Sequence, residues 1–157
     1  MHIVYLSIGS NIGNRRKHLI AAMARLAERA GEIPVISSLH ETEPWGFESA
    51  NLFLNATLRL DTNLTPAALL EVMKGIENEL GRTHKSEGTA YADRIVDIDM
   101  LLYDNMIIYS DKLTLPHPRM HLRTFVMRPL AEIAPRLRHP VFNRTMAELA
   151  AALDRRF

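Results

Sequence analysis

The 157-residue chain has no cysteine, a single tryptophan and a formal net charge of only +1. Without cysteine there is neither a disulfide scaffold nor a thiolate metal site, which suits a reducing, cytoplasmic setting. Near-neutrality removes the long-range field that draws proteins to nucleic acids or membrane surfaces, and neither partner is expected. No apolar stretch approaches the ~20 residues of a membrane-spanning helix. The N-terminus enters an apolar strand with no basic region or small-residue cleavage site before it, so no signal peptide is expected. No linker, internal repeat or low-complexity segment breaks the chain. These absences leave one domain over residues 1–157, large enough for a real hydrophobic core.

The most informative string present is Arg94-Ile95-Val96-Asp97-Ile98-Asp99-Met100-Leu101-Leu102. Isoleucine, valine and leucine dominate it, as in a buried strand, where carboxylates are costly. Strand side chains alternate, so Asp97 and Asp99 share one face while Val96, Ile98, Met100 and Leu102 take the other. Two like charges so placed call for a cation between them. Hard divalent cations fit, Mg²⁺ above all when phosphates complete its shell. The plainer readings are an ion pair with a nearby arginine, or a strand end where both acids are wet. The metal reading is the stronger, because acids inside a strand seldom lack a partner.

Basic residues crowd the same stretch: Arg82, His84, Lys85, Arg94, Lys112, His117, Arg119 and Arg123. Each alone reads as a solvated surface side chain. Around two acids they become equipment for phosphoryl transfer, where a protein mainly positions groups and neutralises phosphate charge. Arg82 and Arg94 are the best placed. A zinc site at His117 and His121 is rejected, since two prolines interrupt the segment and no third ligand has suitable spacing. Ser10-Asn11-Ile12-Gly13-Asn14 matches neither a P-loop nor a dinucleotide fingerprint. Asn55 beside Phe53 and Thr57 could pair with a planar heterocycle or be an ordinary sheet amide. Trp45 is either a packing lid or a stacking surface.

The patterning predicts a strand over residues 3–8, then a helix with Leu19, Met23, Leu26 and Ala30 on one face and Gly31 as its C-terminal cap. Strands follow over residues 34–39 and 52–60, the second with two distinct faces. A helix starts at Thr65-Pro66, carries Leu69, Met73, Ile76 and Leu80, and ends at Gly81. Residues 82–93 read as a binding loop or lid. After the aspartate strand come a turn at Asp104-Asn105, a short hairpin through residues 106–108 and 113–115, a loop at 117–120 and a short helix over 129–134. Thr145 and Glu148 form a capping box for a last helix. Strand, helix, strand, strand, helix, strand is the ferredoxin-like α+β order, an antiparallel sheet with helices on one face. The surplus hairpin and C-terminal helices would cover the other, giving three layers. The aspartate strand is expected to pair with the first strand at the sheet centre.

Several segments together resemble the 6-hydroxymethyl-7,8-dihydropterin pyrophosphokinase family of folate biosynthesis. In order they are Ser7-Ile8-Gly9-Ser10-Asn11-Ile12-Gly13, Thr42-Glu43-Pro44-Trp45-Gly46, Phe53-Leu54-Asn55-Ala56 and Ile76-Glu77-Asn78-Glu79-Leu80-Gly81-Arg82. Arg94 to Tyr103 follows with its R-x-x-D-x-D signature, then Leu115-Pro116-His117-Pro118-Arg119-Met120-His121 and Arg123-Thr124-Phe125-Val126. The resemblance implies a ferredoxin-like three-layer fold and transfer of pyrophosphate from ATP to the pterin's hydroxymethyl oxygen, with AMP leaving. It implies that Asp97 and Asp99 hold two Mg²⁺ ions and that Arg82 and Arg94 grip phosphates, helped by Lys112, His117 and Arg123. Thr114 and Ile98 would line the nucleotide site. Asn55 would pair with the pterin edge between Phe53 or Trp45 and Phe125, and Thr42, Glu43, Pro44 and Trp45 would complete that pocket. His84, Asp93 and Tyr91 depart from the family's commoner pattern. Two other classes are an RNA-binding module, disfavoured by charge and the lack of an aromatic strand motif, and a metal-dependent hydrolase or nucleotidyl transferase.

Overall fold

A computed structural model describes residues 1–42, 52–82 and 95–155. Strand β1 (His2–Ser10) is followed by helix α1 (Arg15–Arg29), strands β2 (Gly31–Ile36), β3 (His40–Thr42) and β4 (Phe53–Thr62), helix α2 (Pro66–Arg82) and strand β5 (Asp97–Tyr103). A hairpin of β6 (Ile108–Tyr109) and β7 (Thr114–Leu115), a 3-10 turn at Met120–Leu122, and helices α3 (Thr124–Ile133) and α4 (Met146–Asp154) complete the order. The sheet runs β2-β4-β1-β5, all antiparallel, with β3 also on β4. This is the ferredoxin-like order anticipated from the element sequence.

The sheet separates two cores. Val4, Leu6, Ile8, Ala56, Leu58, Leu60, Ile98 and Met100 pack with Leu19, Leu26, Leu69, Met73 and Ile76 of α1 and α2. On the other side Tyr5, Leu101 and Leu102 pack with Val126, Met127 and Leu130 of α3 and with Met146, Leu149 and Leu153 of α4. The three layers expected from the surplus C-terminal elements are therefore present.

Several local expectations change. The aspartate strand does lie on β1, but at the outer end of the strand order; β4 takes the other side of β1. A bulge between Tyr5 and Leu6 shifts the β1–β5 register, so Leu102 joins the α3/α4 core instead of sharing a face with Ile98 and Met100. The strand expected at 34–39 is β2, which starts at Gly31 and stops at Ile36, with a register shift between Glu32 and Val35, where Pro34 has no N–H for the ladder; β3 follows as a separate short strand from His40. Gly31 opens β2 and does not cap α1: a Cβ there would stand 2.0 Å from the Asp61 carbonyl oxygen. Gly81 lies inside the last turn of α2, which runs on to Arg82. Helix α3 begins at Thr124, five residues before the expected start, and holds Pro129 within it. The α4 capping box is as read: Thr145 Oγ1 accepts from the Glu148 N–H at 3.1 Å, and Glu148 accepts from the Thr145 N–H.

Candidate active site

The two acids are on one face, as the alternation requires. In register, Asp97 stands opposite Gly9 and Asp99 opposite Ser7 on β1; across β1, Gly9 faces Asn55 and Ser7 faces Thr57 on β4. His40 on β3 continues the row beside Asn55. Tyr5 and Leu101, two positions along from Ser7 and Asp99, point into the α3/α4 core. The acids and Asn55 therefore look toward the α3 side, two strand spacings or roughly 10 Å apart. The acid pair and the amide thus share one face of the sheet, with β1 between them.

Gly9 is what allows this arrangement. A Cβ there would lie 2.6 Å from Asn55 Oδ1 and 3.4 Å from the Phe53 ring, so only glycine lets both side chains lie across β1. Asn55, 5% exposed, donates through Nδ2 to Thr42 Oγ1 at 2.7 Å, which orients the amide. Thr42 and Phe53 are register partners at the open end of the β3–β4 ladder. Thr42, Phe53 and Asn55 thus gather at one end of this face, and Phe125 lies on the first turn of α3.

The acidic half has a member that the sequence reading missed. Glu77 of α2 accepts from the Ile98 N–H at 2.9 Å. Its carboxyl is pushed up to about 7, first by burial and then by Asp97 and Asp99, with a side-chain hydrogen bond to Asp97 holding the proton. Three carboxyl groups thus meet where α2 approaches the start of β5. In the helical pattern Glu77 was one polar residue between Ile76 and Leu80, and only the strand's approach gives it a role.

Cationic and neutral donors face the acids from the other elements. The His117 N–H bonds the Leu101 carbonyl at 2.9 Å, laying the segment after β7 along β5. Burial, helped by Arg123 and Arg119, pushes the His117 imidazole down to about 4. Its Nδ1 accepts from the Arg119 N–H at 3.2 Å, so the neutral ring carries its hydrogen on Nε2 as a donor. Half-buried Arg123 precedes α3; burial and Arg119 lower its pKa, while Asp99 and Asp97 act to raise it. Its guanidinium lies 5.7 Å from the Phe125 ring centroid. Lys112 is exposed in the β6–β7 turn, and Thr114 opens β7. The Ile98 side chain is buried in the α1/α2 core, so only its backbone can face a nucleotide. Arg82 ends α2. Arg94, Glu43, Pro44 and Trp45, with His84, Lys85, Tyr91 and Asp93, lie outside the described residues.

Residues 5–135 match the model of the 7,8-dihydro-6-hydroxymethylpterin-pyrophosphokinase (HPPK) family. The chain belongs to that family. The 2-amino-4-hydroxy-6-hydroxymethyldihydropteridine pyrophosphokinase of Porphyromonas gingivalis is 50% identical over 141 residues, covering 89% of this chain and 95% of that one. The Bacillus subtilis enzyme of the same name is 43% identical over 84% of this chain and 78% of its own. A solved Plasmodium falciparum HPPK-DHPS structure with pteroate superposes with a TM-score of 0.79 at 17% identity, and this HPPK chain spans 99% of its own length but 43% of that longer protein. The family places the chain among the pyrophosphokinases of folate synthesis.

Proposed function

We propose that this HPPK chain moves the pyrophosphoryl group of ATP, with Mg²⁺ at Asp97 and Asp99, onto the hydroxymethyl oxygen of 6-hydroxymethyl-7,8-dihydropterin. The supporting observation is the row Asp97–Gly9–Asn55, which sets a carboxylate pair and an oriented amide on one face across a glycine. The donor set fits the ion. Asp97 and Asp99 offer hard carboxylate oxygens on one strand face. Among the described residues no group of three or more His, Cys, Asp and Glu is disposed to hold a metal. Phosphate oxygens and water would complete the shell, as Mg²⁺ prefers. Bound Mg²⁺ supplies neutralisation of charge on the phosphate oxygens.

The chain's own residues do the rest. Asn55, fixed by Thr42, reads the polar edge of the pterin, and Phe53 and Phe125 supply aromatic surface for its rings. Arg123, with Arg82, Arg94 and Lys112, takes phosphate charge; the His117 Nε2–H donates without adding charge. Thr114 and the Ile98 backbone border the nucleotide, and Glu43, Pro44 and Trp45 close the pterin side. The hydroxymethyl oxygen attacks the β-phosphorus in line, the bond from that phosphorus to the α–β bridging oxygen breaks, AMP leaves, and the alcohol proton passes to water. No side chain is required as a general base.

The deciding assay incubates the protein with ATP, Mg²⁺ and hydroxymethyl-dihydropterin. AMP in proportion to pterin pyrophosphate is the expected product. Release of pyrophosphate would point to nucleotidyl transfer, and inorganic phosphate to hydrolysis; either would overturn the proposal.

A further inference from the structure

The turn Ser10-Asn11-Ile12-Gly13-Asn14 matches no nucleotide-binding pattern. Its consequence is the place where α1 starts. Gly13 takes a φ of 63°, and Asn14 caps the helix by accepting the Lys17 N–H at 3.1 Å. Arg15 is thereby the first helical residue. From there its guanidinium reaches β3 and the residue just before β4: Nη2 donates to the Glu41 carboxylate at 2.6 Å, and Nη1 to the Leu52 carbonyl at 2.8 Å.

Those contacts fall at a telling place. Glu41 immediately precedes Thr42, and Leu52 immediately precedes Phe53. The β3–β4 ladder consists of three residue pairs, ending at Thr42 and Phe53, and short ladders open first at their ends. One side chain therefore ties both stems of the connection between β3 and β4. The residues held at that end, Thr42 and Phe53, are those that orient and flank Asn55. A guanidinium suits the task because its planar fork presents separate N–H groups to a carboxylate and a carbonyl, whereas an ammonium is a point charge.

We infer that Arg15 is a positioning residue for the acceptor pocket: its bridge from Glu41 to the Leu52 carbonyl holds the β3–β4 ladder end, and with it the Asn55 amide, in the geometry that receives the heterocycle. This rests on the acceptor reading given above. The nucleotide half, on β5 and residues 112–123, stands apart from the bridge.

The test compares wild type with R15M, R15K and E41Q in steady-state kinetics, thermal unfolding and amide hydrogen exchange. R15M is expected to raise the KM for hydroxymethyl-dihydropterin about tenfold, the scale of one lost charge-assisted hydrogen bond. Its KM for ATP should stay within about twofold and its kcat within about threefold. R15K should recover part of the acceptor affinity, and E41Q should lose less than R15M because the Leu52 contact survives. In R15M, exchange should accelerate across residues 40–42 and 53–55 and not in β1 or β5. An unchanged acceptor KM, or equal rises in both KM values, overturns the inference, since a loss of general stability would not separate the two substrates. A wild-type protein that makes no AMP overturns the acceptor reading instead. The exchange pattern then still decides whether Arg15 orders these strands, and uniform or unchanged exchange overturns that.

Discussion

At the scale of single residues, the proposed site turns on two acids, one glycine and one amide. Burial first, and then Asp97 and Asp99, raise the Glu77 carboxyl, so removing either aspartate charge relieves like-charge crowding there. Asp97→Ala and Asp99→Ala are each expected to cut AMP formation on the order of a thousandfold, in line with losing pre-placed electrostatic stabilisation. Their thermal midpoints should equal or exceed that of wild type. Near-normal turnover in either variant would remove the metal assignment. Gly9→Ala makes a different prediction. The added methyl would meet Asn55 Oδ1 at 2.6 Å, so the amide must leave its bond to Thr42 or the strands must part. Acceptor affinity should fall by a larger factor than nucleotide affinity, and isothermal titration with each ligand separately checks this. Equal losses for both would place the damage in the sheet as a whole.

At the scale of elements, legibility followed the strength of the local signal. Two acids two residues apart in an aliphatic run announce themselves, because period-two alternation leaves them no other face. The α4 capping box was equally plain, since Thr145 and Glu148 are the residue types and spacing that close both ends of the box. Helix α3 was misplaced for the opposite reason. Arg123 precedes it without a side-chain cap and its first turn has no acid, so the pattern carries no start signal at Thr124. Glu77 was illegible because its partners arrive from β5 through tertiary contact. Arg15 was hidden likewise, its two partners lying 26 and 37 residues away. The cap itself offers a test. Thr145→Ala removes the acceptor for the Glu148 N–H and should cost about 1 kcal/mol. Because α4 closes the second core through Met146, Leu149 and Leu153, that loss should appear in the global urea midpoint. A midpoint unchanged within error would mean that the helix is held by packing alone.

At the scale of the whole molecule, acid stability follows from buried rings as well as from surface ion pairs. His139 is 3% exposed; its Nδ1 accepts the N–H groups of Val141 and Phe142 at 3.2 Å each, and its ring stacks on Phe142 at 4.3 Å. Burial, with a smaller push from His121, lowers its pKa to about 4, against about 6.5 in an unfolded chain. Between those values the unfolded state binds the extra proton, so stability rises with pH through this window and is lost as the solution is acidified. Glu77 works the other way: its raised carboxyl keeps a proton in the folded state that the unfolded chain would release, which favours folding on the acid side. A wild-type profile therefore mixes opposing slopes. The difference between wild type and His139→Asn isolates one of them, because Asn Oδ1 can still accept where Nδ1 did and Glu77 is common to both proteins. Urea denaturation from pH 4.5 to 6 should show wild type losing roughly 1 kcal/mol more per pH unit than the variant on acidification. Parallel profiles would mean that the His139 ring accepts a proton without leaving its place against Phe142, and that the acid sensitivity of the C-terminal layer has another source.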